Sequence, residues 1–234
     1  MEYQHIKLYH YPLTRSARVK WLLHECVGDD FDVERVSLYE GEQYQPTLLQ
    51  KNPNHGVPIL EITLSSGETK VMFESGAMLS FLADSFPQKK LAPPPEAFSL
   101  QRADYLQMLH FGTSWMDMML WQIRIHKDVL PDAEKDQRTI DRYFNKFEME
   151  VEPQLVQRLE TSTYICGDQF TAADCVIAHN IMWGKSYGLC SSETLAEYLS
   201  KMSSRPAFLQ AFADADQFRA RAPEGSVIDN KFTG

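Results

Sequence analysis

The strongest constraint on this chain is a change of hydrophobic period at one place. Ahead of the run Pro93-Pro94-Pro95, short stretches alternate apolar and polar residues, as in His5-Ile6-Lys7-Leu8-Tyr9 and Phe31 to Val36. Alternation of this kind places one face of an extended strand against a core. Beyond the prolines no such stretch occurs, and apolar residues recur only at helical spacing. The expected architecture is therefore an α/β N-terminal domain over residues 1–86, a linker at 87–96, and an all-α C-terminal domain over 97–234. At 234 residues the chain is long enough for two cores.

The first domain reads as strand, helix, strand within about forty residues, an arrangement that normally gives parallel strands joined by a right-handed crossover. The strand at 5–9 enters a turn at Tyr11-Pro12, and a helix follows from Ser16 to Cys26, ended by Gly28. A polar stretch, Tyr39 to Asn54, carries a short helix near 45–50. Then Ile59 to Thr63 and Lys70 to Phe73 flank a Ser-Ser-Gly turn as a hairpin, and Glu74-Ser75 opens another helix. In the second domain helices are expected at 97–127, 134–160, 171–187 and 192–202, with a shorter one after Pro206.

Composition excludes some functions. The net charge of −9 carries no basic footprint for nucleic acid. No apolar run is long enough to span a bilayer, and the first residues lack a secretion signal. Cys26, Cys166, Cys175 and Cys190 form no CxxC pair, so free thiols in a reducing, cytoplasmic setting are expected.

Three junctions have the chemistry of a binding site. Thr14-Arg15-Ser16 puts hydroxyls at a helix N-terminus, where backbone N–H groups and the helix dipole favour an anion and would lower the pKa of a thiol held there. Taken alone, the junction fits a purely structural reading better, with Ser16 capping the helix and Thr14 shaping the turn. Val57-Pro58 enters a strand after a polar loop, a suitable place for a cis bond that turns the Val57 N–H and C=O outward. Glu74-Ser75, at a strand-to-helix junction, offers a hydroxyl and an N–H to a carboxylate and a carboxylate to an amine.

Taken in order, these segments resemble the glutathione transferases over essentially the whole chain. The resemblance is carried by Thr14-Arg15-Ser16-Ala17-Arg18-Val19-Lys20-Trp21, by Asn52-Pro53-Asn54-His55-Gly56-Val57-Pro58-Ile59-Leu60, and by Phe73-Glu74-Ser75-Gly76-Ala77. In the second domain Gly167-Asp168-Gln169-Phe170-Thr171-Ala172-Ala173-Asp174 resembles that family's helix-capping box. The resemblance implies a thioredoxin-like first domain that binds glutathione as co-substrate, with no metal. Val57, beside Pro58, would pair with the cysteinyl backbone. Glu74 and Ser75 would hold the γ-glutamyl end, and His55 and Lys51 would reach the glycine carboxylate, with Arg15 also in the glutathione-binding set.

The thiol-activating hydroxyl is Thr14 by its place four residues before Arg18, or Ser16 by its place on the first turn. Tyr9 and Tyr11 lie nearby and leave a tyrosine-dependent mechanism open. Arg15 stands where another subgroup keeps a cysteine, so cysteine-dependent chemistry is not expected. The second substrate would be a small hydrophobic electrophile, met by two or three residues from Tyr105, Met108, Phe111, Gly112, Trp115, Met116 and Met119 on the first helix of the second domain. Detoxification by a homodimer completes the implied picture. Other glutathione-dependent chemistry (ether cleavage, dehalogenation, isomerisation) and a non-catalytic binding role on the same fold are the alternatives.

Overall fold

A computed structural model describes residues 3–221. It begins with β1 (Tyr3–His10), α1 (Arg15–Val27) and β2 (Asp32–Arg35). The next elements are the one-turn helix α2 (Pro46–Leu49), the hairpin β3 (Ile59–Leu64) and β4 (Thr69–Met72), and α3 (Ser75–Ser85). The four strands form one mixed sheet in the order β2-β1-β3-β4. β1 and β2 are parallel, as the expected crossover requires, and β3 runs antiparallel to both β1 and β4. The edge strand β2 exposes all four residues, three of them charged, which discourages pairing with another chain.

Helix α1 forms because Thr14 caps it and a wide apolar face follows. Val19, Trp21, Leu22 and Leu23 are fully buried, each contributing about 1.5–3 kcal/mol of apolar burial.

The helical part contains α4 (Leu100–His110), α5 (Asp117–Arg124), α6 (Gln137–Lys146), α7 (Glu152–Leu159), α8 (Ala172–Lys185), α9 (Glu193–Ser203) and α10 (Pro206–Ala211). α4 and α5 are joined through a π-helical segment at Phe111–Met116, as are α6 and α7 through one at Phe147–Val151. Each pair thus reads from sequence as one long helix. Gly112 has a packing reason: a Cβ there would lie 2.5 Å from Val176 Cγ1, and the Gly112 carbonyl accepts from Asn180 Nδ2 at 2.7 Å. The capping box of α8 is present, with Asp174 accepting from the Thr171 N–H at 2.8 Å.

The contacts divide the described chain into two compact units, residues 3–82 with 207–221, and Ala83–Pro206. This division departs at both ends from the boundaries at 86 and 97. Leu91, inside the expected linker, is buried and its carbonyl accepts from the Ala172 N–H at 2.8 Å within the second unit. Residues 207–221 return to the first unit because Phe208 and Phe212 stack on each other at 4.3 Å and pack edge-on against Trp21, at 5.0 and 6.3 Å. Among the described residues no helix is long and apolar enough to cross a membrane.

Candidate functional site

The register of the sheet gathers the three junctions. Tyr9 at the end of β1 pairs with Ile59 at the start of β3, and Leu60 pairs with Met72 at the end of β4. The β1–α1 turn, the loop ending at Pro58 and the Phe73–Ser75 junction therefore leave the same end of the sheet. Neighbouring strands are about 4.8 Å apart, so the three lie within the span of a short peptide.

The loop before β3 is held by Asn52, which is buried. Its Nδ2 donates to the Gly56 carbonyl at 2.9 Å, and its Oδ1 accepts from the Asn54 N–H at 3.0 Å. His55 is exposed and takes a left-handed backbone, φ 45°, with its ring against Tyr44. The Val57-Pro58 bond is cis. The Val57 side chain packs against the cluster of Tyr9, Val36, Leu48 and Ile59. Its N–H and C=O take no hydrogen-bond partner among the described residues. An anchored side chain with an unpaired peptide group is what an extended ligand needs from an edge. Lys51 is ion-paired with Glu61 and lies 5.3 Å from the Tyr9 ring centre; the bond to Glu61 raises its pKa, so it stays charged.

At the third junction Glu74 is exposed and has φ 76°, an unfavourable conformation for a residue with a Cβ. Ser75 is buried, and its Oγ accepts from Arg18 Nε at 3.2 Å. Arg18 is itself fully buried. Sequence reasoning used Arg18 only as a landmark and gave Asn52 no role; the available signal for Arg18 was a charge on the apolar face of a helix.

The two candidate hydroxyls occupy different environments. Thr14 is half-buried at the N-cap of α1. Ser16 is fully buried, and its Oγ lies 2.8 Å from Thr14 Oγ1, 2.7 Å from His10 Nδ1 and 3.0 Å from the Tyr11 carbonyl, while accepting from the Tyr11 N–H at 3.1 Å. A hydroxyl donates once and accepts twice, so Ser16 is saturated by the protein. Arg15, half-buried, begins α1 beside them. Tyr9 and Tyr11 are both buried, and Tyr11 meets Tyr39 edge-on at 5.8 Å. Burial pushes the half-exposed Cys166 thiol up to about 12, and Cys26, Cys175 and Cys190 are buried, so no thiol here is a ready nucleophile at neutral pH.

The expected electrophile-binding residues lie in the second unit. Tyr105, Met108 and Met119 are buried, as are Gly112 and Met116. Phe111 is half-buried, and Trp115 is exposed with Lys146 Nζ 4.8 Å from its ring.

Two family profiles match the chain: residues 4–84 match "Glutathione S-transferase, N-terminal domain" and residues 116–206 match "Glutathione S-transferase, C-terminal domain". The chain belongs to the glutathione S-transferase family. Among its curated relatives are the disulfide-bond oxidoreductase YfcG of Escherichia coli K12 and the glutathione S-transferase GstA of Escherichia coli O157:H7. The former is 26% identical over 217 residues, covering 90% of this chain and 95% of YfcG. The latter is 26% identical over 211 residues, covering 86% of this chain and 94% of GstA. A glutathione transferase family member from Pseudomonas fluorescens Pf-5, solved with two glutathione bound, superposes with a TM-score of 0.76 at 26% identity, covering 89% of this chain and 92% of that one. The mixed sheet followed by a helical unit is the fold of this transferase family.

Proposed function

We propose that this glutathione S-transferase family member binds glutathione across the three junctions and conjugates its thiolate to small hydrophobic electrophiles. The observation that carries the reading is the open Val57 peptide group beside the cis proline, set at the same sheet end as the Thr14 hydroxyl and Glu74-Ser75. The cysteinyl backbone of glutathione pairs with Val57. The γ-glutamyl carboxylate takes the Ser75 N–H and hydroxyl, and its ammonium faces Glu74. His55, Lys51 and Arg15 supply the positive side for the glycine carboxylate. Thr14 is the half-exposed hydroxyl and meets the sulfur, while Ser16 acts from behind it. The enzyme's contribution is proximity and preorganised stabilisation of sulfur charge, without a covalent intermediate on the protein. Phe111 and Trp115 are the members of the aromatic and methionine stripe with surface to offer an electrophile. The protein acts as a homodimer in a reducing cytoplasm.

Calorimetric titration with glutathione tests the site. The native protein is expected to bind, and Glu74→Ala with Ser75→Ala to abolish binding; a double variant that binds as well as the native protein removes the assignment. A second reading is thiol–disulfide exchange, favoured by the oxidoreductase among the relatives. With the protein's own cysteines buried or protonated, both exchanging thiols would come from glutathione. Assaying a chlorinated nitroarene beside a mixed disulfide of glutathione separates the two reactions.

A further inference from the structure

Behind the Thr14 hydroxyl runs a continuous line of polar groups that leads inward. Thr14 Oγ1 is 2.8 Å from Ser16 Oγ, which is 2.7 Å from His10 Nδ1. The other ring nitrogen, Nε2, is 3.1 Å from Asp214 Oδ2, and Lys20 Nζ donates to the same oxygen at 2.8 Å. His10 is 1% exposed and Ser16 is 0% exposed, so the middle of the line is closed to solvent, between the half-buried Thr14 at one end and Asp214, whose side chain is 24% exposed, at the other. All of these residues belong to the first unit.

The line can be protonated in two self-consistent ways. In one, neutral His10 donates Nε2–H to Asp214 and accepts at Nδ1 from the Ser16 hydroxyl. Ser16 then accepts from the Tyr11 N–H and from the Thr14 hydroxyl, and Thr14 Oγ1 presents a lone pair outward, able to accept from a thiol. In the other, His10 is an imidazolium whose Nδ1–H donates to Ser16. Ser16 then donates to Thr14, and Thr14 donates outward, to a thiolate. The Tyr11 carbonyl, 2.8 Å from Thr14 Oγ1 and 3.0 Å from Ser16 Oγ, is the competing acceptor for both hydroxyls, and it keeps the Thr14 N–H at 3.3 Å in either state. No heavy atom moves between the two.

Resting on the glutathione reading above, we infer that His10 is a positioning residue that takes up the thiol proton of bound glutathione through Thr14 and Ser16, with Asp214 holding the imidazolium that results. The S–H bond breaks, its proton passes to Thr14 Oγ1, the Thr14 proton to Ser16 Oγ and the Ser16 proton to His10 Nδ1. One thiolate and one imidazolium form from two neutral groups, so a charge pair is separated while the net charge of the complex is unchanged. Three charged groups face His10: Asp214 from the returning segment, Lys20 from α1 and Arg35 from β2. Burial, reinforced by Lys20 and Arg35, holds His10 below its usual pKa despite Asp214. The resting imidazole is therefore neutral near neutral pH and its Nδ1 is open to a proton.

Calorimetry of glutathione binding to the native protein, at neutral pH in two buffers of different ionisation enthalpy, decides the matter when combined with the ultraviolet absorbance of the thiolate. The expected result is thiolate formation with an apparent enthalpy independent of buffer, because the proton stays on His10. Thiolate formation with about one proton released per site overturns the relay, as does glutathione bound as the thiol. Glutathione that does not bind at all overturns the transferase reading, and the relay falls with it. Ser16→Ala cuts the line and His10→Asn removes its proton store. Both are expected to keep glutathione affinity within roughly threefold and to raise the apparent pKa of the bound thiol, leaving about tenfold less thiolate below it. A bound thiol that titrates in Ser16→Ala as in the native protein overturns the relay without touching the binding site.

Discussion

Asp214 and Asp174 are carboxylates drawn into hydrogen-bond clusters, one in each unit, and they differ in what they connect. Asp174 is fully buried; its oxygens accept from the Ile165 and Thr171 N–H groups and from the Tyr198 and Thr171 hydroxyls, at 2.8 to 3.2 Å. Its partners are fixed donors with no route to solvent, so the cluster ties the start of α8 to α9 and to the turn at Ile165. Asp214 has titratable partners, Lys20 and His10, and through His10 it reaches a half-exposed hydroxyl. A buried carboxylate surrounded by fixed donors holds a fold; one that faces groups able to gain or lose a proton can serve a reaction.

The largest consequence lies in the closed cluster. Asp174→Ala leaves several buried donors without an acceptor, and the expected loss is about 3 kcal/mol or more of stability, read from the urea unfolding midpoint. Turnover per folded molecule is expected to stay unchanged. Thr14→Val inverts the pattern. Losing the N-cap costs about 1 kcal/mol, while conjugation falls by about 10²–10³ if this hydroxyl stabilises the sulfur, and Thr14→Ser retains most of the rate. A Thr14→Val protein as active as the native one would erase the functional half of the contrast.

Acid separates the clusters by sign. Burial raises Asp214, but its bonds to His10 and Lys20 outweigh this and hold it well below the usual carboxylate range. Burial leads the lowering of His10. Both groups thus stabilise the fold above their unfolded pKa values, and that stability begins to be lost as pH falls below about 6.5 for His10 and about 3.9 for Asp214 and is gone only once pH has fallen through their lower folded values. Burial instead raises Asp174, against the pull of its donors. Its contribution is complete below the unfolded value and is lost as pH rises through its folded value. Unfolding midpoints followed from neutral to acid pH should therefore fall less steeply in Asp214→Asn than in the native protein, by at most about 1.4 kcal/mol per pH unit for each proton. The smallest effect belongs to the exposed loop: His55→Ala is expected to weaken glutathione binding by roughly threefold to tenfold in the calorimeter, with the rate at saturation unchanged.

Local signals were readable where one segment decides its own structure. The strand–helix–strand start, the hairpin, the capping box of α8 and the three junctions all come from short-range patterns. The fate of Ser16 was not readable, because a hydroxyl on a first turn looks the same whether it faces a ligand or a buried histidine, and the network behind it depends on Asp214, 204 residues from His10. The stripe Tyr105, Met108, Met119 likewise has the spacing of any helix face, and only packing shows that these three are buried. The return of residues 207–221 rests on aromatic contacts with Trp21, whose apolar character alone names no partner.

That return bears on how the protein is made. Translation delivers residues 3–82 first and the segment that covers Trp21 and supplies Asp214 only after the entire helical unit has emerged. The first unit therefore waits, with Trp21 lacking its aromatic cover, until synthesis has passed residue 214. A nascent chain stalled before that point holds the Thr14, Val57 and Glu74 loops without the carboxylate that meets His10, so on the proposed glutathione reading thiol activation would be among the last properties the growing protein acquires.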